Sequence, residues 1–164
     1  MSMASVDSRA DGSIEFAGNI LEIASPVIAV GMIIGYNDSQ GAIQFSESAA
    51  LTMAVTYSLK LTIDAKRPDG GRQSFPSGHA ALAFCSAEFI RGRYGMEYGL
   101  PYYAVASFVA YSRVEARKHY PRDVAAGAAI GMISSYVLTT RYKGWSVEPQ
   151  VDNNYYGVRL VKSW

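Results

Sequence analysis

The feature that most constrains the fold is a succession of five apolar segments, separated by short stretches of glycine, proline and polar residues. Each segment is longer than an ordinary strand and long enough for a helix. The predicted helices cover residues 16–36, 46–63, 77–95, 101–114 and 121–142. We therefore expect an all-α fold, a compact helical bundle of about five main helices.

The two ends of the chain do not follow this pattern. Residues 1–15 are polar, without periodicity, and lack the apolar stretch of a signal peptide, so we expect a disordered arm or a cloning remnant. Residues 16–144 form the predicted helical domain. After Gly144, apolar and polar residues alternate around Val158 and Leu160, which predicts a short extended C-terminal tail over residues 145–164, without an evident partner strand.

Composition excludes several classes of function. With 15 Lys and Arg against 14 Asp and Glu, and no basic block, we expect no nucleic-acid partner. The single cysteine, Cys85, stands in an apolar run and is interpreted as a core residue, and one cysteine allows no internal disulfide and no multi-cysteine metal site. The two histidines, His79 and His119, are the first candidates for acid/base or nucleophilic chemistry.

The apolar segments raise the question of a membrane. A span takes roughly 20 apolar residues, and only the first segment and, less well, the fifth approach that length. We expect a bundle that is soluble or peripheral to a membrane, with integral insertion as the alternative. The 12 tyrosines are compatible with two arrangements, an interfacial belt at a membrane surface and a helical bundle with solvated loops.

The first group of candidate site residues is Lys60 and Arg67. Their spacing is close to two helical turns, so on a continuous helix both cations lie on one face. Two such cations can hold a phosphate dianion, and the arginine can bind it in a bidentate manner. Lys66 and Arg72 are competitors for this role, and a solvated basic helix end is the alternative.

The second group is the sequence Pro76-Ser77-Gly78-His79. Ser77 is a favoured N-cap residue before an apolar run, so a helix is predicted to begin here. The amides of Ser77 and Gly78 would then face an anion, and His79 in the first turn could protonate a leaving oxygen. A histidine that only decorates a capped helix is the alternative.

The third group is Ser112-Arg113, followed by His119 and Asp123. At a spacing of i and i+4, the Asp123 carboxylate can reach one imidazole nitrogen of His119 and leave the other free to react. Arg113 would add another cation to the anion pocket. This pattern is typical of a nucleophilic histidine with its orienting carboxylate, and an Asp–His pair that caps a helix is the alternative.

Together the three groups resemble the signature of the type 2 phosphatidic acid phosphatase family, which shares a helical core with bacterial class A acid phosphatases and vanadium haloperoxidases. That signature is K-x6-R-P, then P-S-G-H, then S-R-x5-H-x3-D. Every specified position is present, at Lys60, Arg67, Pro68, Pro76, Ser77, Gly78, His79, Ser112, Arg113, His119 and Asp123. The match covers residues 60–123 directly, and the helical pattern extends the likeness to about 16–142.

The resemblance implies a role for each of these side chains. His119 would attack phosphorus and form a phosphohistidine, Asp123 would orient it, and His79 would protonate the leaving group and later help to activate water. No metal and no other cofactor is implied, because cations of the chain take the place of one. Phosphate binding is implied for Lys60, Arg67, Ser77, Gly78 and Arg113.

The resemblance also implies a substrate class and a location. The expected function is phosphomonoester hydrolysis, with a lipid phosphate such as phosphatidic acid or a related envelope lipid as substrate. The expected location is the bacterial cell envelope, periplasmic or peripheral to the membrane, with an integral inner-membrane protein as the alternative. Relative to six-helix membrane members of the family, this chain has room for five helices.

Other functions remain as alternatives. An acid phosphatase that acts on soluble phosphomonoesters is the closest of them. A vanadate-dependent haloperoxidase is disfavoured, since those enzymes have much longer chains and this chain has no third histidine. A non-catalytic anion-binding protein is also disfavoured, since none of the signature residues has been replaced.

Overall fold

Five helices and a C-terminal hairpin make up the computed structural model, which describes residues 3–152 and 155–162. The all-α bundle expected from the sequence is confirmed. The elements are α1 (Met3–Gly35), α2 (Ser39–Ile63), α3 (Gly78–Tyr94), α4 (Met96–Glu115), α5 (Pro121–Leu138), β1 (Trp145–Asp152) and β2 (Tyr155–Lys162).

The first helix is longer than the sequence predicts. It was expected from residue 16, but α1 begins at Met3 and so includes most of the segment expected to be an arm. No proline precedes Pro26, and an isolated glycine such as Gly12 costs a helix only about 1 kcal/mol. Among the described residues, Gly12–Gly35 is the one helical stretch long and apolar enough to cross a membrane.

Two other helices also begin earlier than expected. The polar stretch after α1 was interpreted as a loop, but Asp38 caps α2 by accepting a hydrogen bond from the Gly41 amide (2.9 Å), so the helix starts at Ser39. Gly95, at φ 122°, ends α3, and α4 follows directly from Met96 with Pro101 inside it. Three residues, 36–38, connect α1 to α2, and Gly95 alone connects α3 to α4, so both turns are shorter than the sequence suggested.

Helix α3 begins as predicted and packs closely on α5. Ser77 is its N-cap and accepts a hydrogen bond from the Ala80 amide (3.4 Å). A Cβ added to Gly127 would overlap the Ser77 carbonyl oxygen, and one added to Gly131 would overlap that of Ala81. The lack of side chains at these two positions of α5 therefore allows the two helices to approach closely.

The apolar core lies between α1, α2, α3 and α4, in two clusters. Cys85 is fully buried in α3, as expected for a core residue. One cluster contains Ala29, Ile33, Phe45, Phe89, Ile90 and Tyr94, and the other contains Ala83, Ala87, Ala106 and Val109.

A buried polar cluster closes the end of the bundle where α3 finishes. The guanidinium of Arg93 donates two hydrogen bonds to the Asp38 carboxylate, at 2.7 and 2.5 Å. It also donates to the carbonyl oxygen of Thr140 (2.8 Å), and Tyr94 donates to Asp38 (3.0 Å). Arg93 therefore joins the start of α2 to the segment after α5.

The tail is extended, as predicted, and it supplies its own partner strand. β1 pairs with β2 in antiparallel register, from Trp145 opposite Lys162 to Asp152 opposite Tyr155. Tyr156, Val158 and Leu160 are exposed. The partner strand that the sequence did not reveal is therefore the second half of the same tail.

Candidate active site

A cavity of about 300 Å³ opens at the end of the bundle where α3 begins. Five of the eight residues predicted for the site line it. They belong to α2, to α3 and to the two loops that follow α2 and α4. Its lining consists of Glu22, Met53, Tyr57, Lys60, Arg67, Gln73, Gly78, His79 and His119.

His119 lies in the loop before α5 and is 2% exposed. Its amide donates to the Arg113 carbonyl oxygen (3.2 Å), which fixes the backbone of the loop. Burial, together with the nearby charges of Lys60 and Arg67, lowers the pKa of His119 to about 4, against the opposing influence of Asp123. The imidazole is therefore uncharged at neutral pH, the state that a nucleophile requires.

Asp123 lies in the first turn of α5 and is fully buried. Its Oδ2 accepts hydrogen bonds from Ser74 Oγ (2.5 Å) and from the Tyr120 amide (3.0 Å). The same oxygen is 3.9 Å from Nδ1 of His119, which exceeds hydrogen-bond distance. Asp123 therefore lies beside Nδ1 of His119, with a separation typical of sites that tighten when substrate binds.

Lys60 and Arg67 both reach the cavity, but not from one helix face. α2 ends at Ile63, and Asp64 adopts a left-handed conformation with φ 43°, so Arg67 lies in the following loop. Its Nε donates to the Arg72 carbonyl oxygen (3.0 Å), while Lys60 Nζ donates to the carbonyl oxygen of Gln73 (2.7 Å). A shared helix face required α2 to continue through Arg67, and this condition is not met because α2 ends at Ile63.

The competing cations do not line the cavity. Arg72 is exposed and pairs with Asp64, the residue that ends α2. Lys66, like Arg72, is absent from the residues around the cavity. The structure therefore favours Lys60 and Arg67 among the basic residues of this region.

The start of α3 presents its backbone to the cavity at Gly78 rather than at Ser77. The Ser77 amide donates to the Asp123 carbonyl oxygen (2.9 Å), so it is engaged within the fold. Gly78 and His79 stand in the first turn, where amides have no acceptor within the helix. Ser77 thus holds α3 against α5, and the two following amides are the ones that can face an anion.

Arg113 is buried, but its guanidinium does not line the cavity. Nη1 donates to Asn19 Oδ1 (2.7 Å) and Nη2 donates to the carbonyl oxygen of Glu15 (2.9 Å). These contacts bind α4 to the N-terminal half of α1. In this structure, the third predicted cation is therefore a link between helices beside the cavity.

His79 lines the cavity and makes a contact that the sequence did not suggest. Its Nε2 is 2.9 Å from Oε2 of Glu22, a residue of α1 that lines the same cavity. A signal for Glu22 exists in the sequence, since it is the one charged residue between Phe16 and Tyr36. A lone carboxylate in an apolar helix marks a candidate functional residue.

The chemistry available in the cavity is that of anion binding followed by nucleophilic attack. Lys60, Arg67 and the first turn of α3 can hold a phosphate-sized anion. His119 is an uncharged nucleophile, and His79 is a second imidazole that can carry a proton. Among the described residues, no three His, Cys, Asp or Glu side chains come together as a metal-binding set.

Comparison with known proteins identifies relatives along most of the chain. A family model described as the PAP2 superfamily matches residues 69–146. The chain is 29% identical to the lipid A 4'-phosphatase of Helicobacter pylori strain J99, over 92% of this chain and 85% of that protein. It is 38% identical to the lipid A 1-phosphatase of Porphyromonas gingivalis over 52% of this chain and 21% of that protein.

Two solved structures share the fold. LpxE of Aquifex aeolicus superimposes with a TM-score of 0.69 at 21% identity, over 78% of this chain and 84% of that one. A transmembrane PAP2 type phosphatidylglycerolphosphate phosphatase of Bacillus subtilis superimposes with a TM-score of 0.62 at 21% identity, over 84% of this chain and 77% of that one. Residues 69–146 therefore carry the match to the PAP2 superfamily, and the similarity to lipid A phosphatases over most of the chain indicates a phosphoric monoester hydrolase.

Proposed function

We propose that the chain removes phosphate from a lipid phosphate through a phosphohistidine at His119. The observation that carries this proposal is the state of that side chain. His119 is buried, uncharged at neutral pH, and lines a cavity together with Lys60 and Arg67. An uncharged imidazole beside two cations suits attack on an anionic phosphorus centre.

The reaction takes two steps. In the first, a nitrogen of His119 forms a bond to phosphorus, the ester P–O bond breaks, and the departing alkoxide takes a proton from His79. In the second, water attacks phosphorus and gives its proton to His79, the P–N bond breaks, and inorganic phosphate leaves. Both imidazoles return to their starting states, so the cycle needs no other proton donor or acceptor.

Charge on the transferring phosphoryl group is held by the chain itself. Lys60 and Arg67 approach from the end of α2 and the loop after it, and the amides of Gly78 and His79 approach from α3. Asp123 supports the positive charge that develops on His119 as the P–N bond forms. Arg113 contributes positive potential from beside the cavity, held in place by α1.

Two observations support a lipid substrate. The relatives described above are named lipid A phosphatases, which favours a phosphorylated glycolipid over phosphatidic acid. In addition, Phe16, Ile20 and Ile23 are exposed on α1, beside Asn19 and Glu22 at the site. An exposed apolar helix face next to the cavity suits a substrate whose acyl chains remain in a membrane.

The same apolar surface favours a membrane location in the cell envelope. Beyond α1, exposed apolar side chains occur on α2, α4 and α5, including Leu61, Leu100 and Val137. A protein with such a surface binds a bilayer or is inserted in it. Extraction of the membrane fraction with high salt or carbonate distinguishes the two, because a peripheral protein is released and an inserted one requires detergent.

The experiment that tests the function is phosphate release from three substrates in mixed micelles. We expect turnover of a lipid A-type phosphoglycolipid to exceed that of phosphatidic acid, with little activity on a nucleoside monophosphate. His119→Ala should lose at least about 10³-fold in kcat, since it removes the nucleophile, while still binding vanadate. Preference for the nucleotide would contradict the lipid substrate, and unchanged turnover of His119→Ala would contradict the mechanism.

A further inference from the structure

Each histidine of the cavity has one carboxylate beside it, and the two carboxylates come from different parts of the chain. Asp123 accompanies His119 and belongs to the signature. Glu22 accompanies His79 at 2.9 Å and belongs to α1, which lies outside the signature. The second histidine therefore has a partner of the same kind as the first.

The position of Glu22 is unusual for a site that binds anions. Its carboxylate lines a cavity that also contains Lys60 and Arg67, where negative charge opposes an entering phosphate. Neither cation forms an ion pair with it, and its described ion pair is with His79 Nε2. A carboxylate here disfavours substrate binding, and a role in the reaction through its contact with His79 would explain its presence.

We propose that Glu22 is the positioning residue of His79, an inference that rests on the proposed function. Its Oε2 accepts a hydrogen bond from the Nε2–H group of the imidazole, and this bond fixes the plane of the ring. Nδ1 is then the nitrogen that gives its proton to the leaving alkoxide and takes one back from water. The negative charge of Glu22 also lies directly beside the ring that carries the proton before the leaving group departs.

This role differs from that of an ordinary ion pair. The His79 side chain is 37% exposed and that of Glu22 is 22% exposed, and pairs of this exposure add little to stability. Loss of a merely structural contact would therefore lower kcat by the same factor for all substrates, or leave kcat unchanged. A positioning role acts through the proton that His79 donates. When Glu22 is replaced, the decrease in kcat should therefore be larger for leaving groups that need protonation more.

The kinetic test compares two esters in Glu22→Gln, which keeps the shape of the side chain and removes its charge. We expect kcat for an alkyl phosphate, a poor leaving group, to fall at least about tenfold, a part of the roughly 10²–10⁴-fold contribution of a general acid. For p-nitrophenyl phosphate, whose leaving group needs little protonation, the loss should stay below about threefold. Equal losses on both esters would overturn the proposal.

A double variant shows whether Glu22 acts through His79. In His79→Ala, a further change of Glu22→Gln should leave the remaining turnover of p-nitrophenyl phosphate and of the alkyl ester unchanged. A further loss would overturn the proposal and assign Glu22 to the phosphate pocket, where its charge also acts on Arg113. Glu47→Gln is the matched control, since Glu47 is exposed on α2 and should retain wild-type kinetics.

A spectroscopic measurement keeps this proposal separate from the proposed function. The chain has two histidines, so protein labelled with ¹⁵N-histidine gives two imidazole signal sets, which His119→Ala and His79→Ala assign. We expect Glu22→Gln to shift the Nε2 signal of His79 and to leave that of His119 in place, whether or not any ester is hydrolysed. An unshifted Nε2 signal would overturn the positioning role, whereas absent turnover in the wild type would count against the proposed function alone.

Discussion

The buried imidazole of His119 links the proposed chemistry to the stability of the fold. In the folded chain its pKa is lowered to about 4, whereas an unperturbed histidine has a pKa of 6.5. Between these values the unfolded chain binds a proton that the folded chain does not. The free energy of unfolding must therefore decrease as pH falls from 6.5 towards 4.

A variant without this titrating group should lose that dependence. In His119→Asn, we expect the decrease in unfolding free energy from pH 7 to pH 5 to be smaller than in wild type by about 2 kcal/mol. Urea unfolding of both proteins at the two pH values, in the same detergent, measures the difference. Between pH 7 and pH 8 the two proteins should change in parallel, and an identical acid response would contradict a lowered pKa.

The residues of the cavity were predictable to different degrees. Lys60, His79 and His119 reach the cavity as the signature implies, because helix starts and ends place them there. The surroundings of Arg113 were not predictable, because its partners lie on α1, far away in sequence. The same holds for Glu22, whose partner His79 is brought to it only by the packing of α1 on α3.

Among the helices, the pair α3 and α5 positions the site most directly. Asp123 stands in the first turn of α5, and its carbonyl oxygen accepts the amide of Ser77 at the start of α3. Gly127 and Gly131 continue this contact along the two helices without side chains between them. The separation of the helices therefore sets the position of Asp123 relative to the first turn of α3.

A methyl group at this contact should disturb both stability and turnover. In Gly131→Ala, the new Cβ would overlap the carbonyl oxygen of Ala81 and lie 2.8 Å from the amide nitrogen of Cys85. We expect a loss of about 1–3 kcal/mol in unfolding free energy, as for an overpacked core, and a lower kcat.

The matched control is Gly31→Ala, near the C-terminal end of α1. A Cβ at Gly31 meets no atom within 4 Å, so this variant should keep its kcat and gain up to about 1 kcal/mol in stability from helix propensity. Thermal unfolding and phosphate release of both variants provide the comparison. Equal stability of the two variants would contradict the close packing of α3 on α5.

The existence and order of the helices were predictable, whereas three of their starts were not. The apolar segments are long, and Ser77 and Pro121 mark two starts correctly. The errors at α2 and α4 arose because clusters of turn-forming residues suggested long loops, while the connections consist only of residues 36–38 and of Gly95. Tertiary contacts, which the sequence does not display, decide how many of such residues join the helix.

At the scale of the whole molecule, the site and the buried ion pair of Arg93 with Asp38 lie at opposite ends of the bundle. His79 is in the first turn of α3 and Arg93 is in its last turn, about 20 Å away at 1.5 Å per residue. Arg93 and Asp38 are both almost fully buried, and they connect α2, α3 and the segment after α5. We therefore expect a loss of stability at one end to leave the chemistry at the other end unchanged.

Removal of one member of this pair should destabilise the fold without changing the site. In Arg93→Met the Asp38 carboxylate remains buried without its cation, which costs about 3–5 kcal/mol. The double variant Arg93→Met/Asp38→Asn removes the unpaired charge while the asparagine still caps α2, so it should recover part of that loss. Unfolding free energies measure both effects. Turnover normalised to the folded fraction should equal that of wild type, and a lower normalised kcat would mean that the two ends of the bundle are coupled.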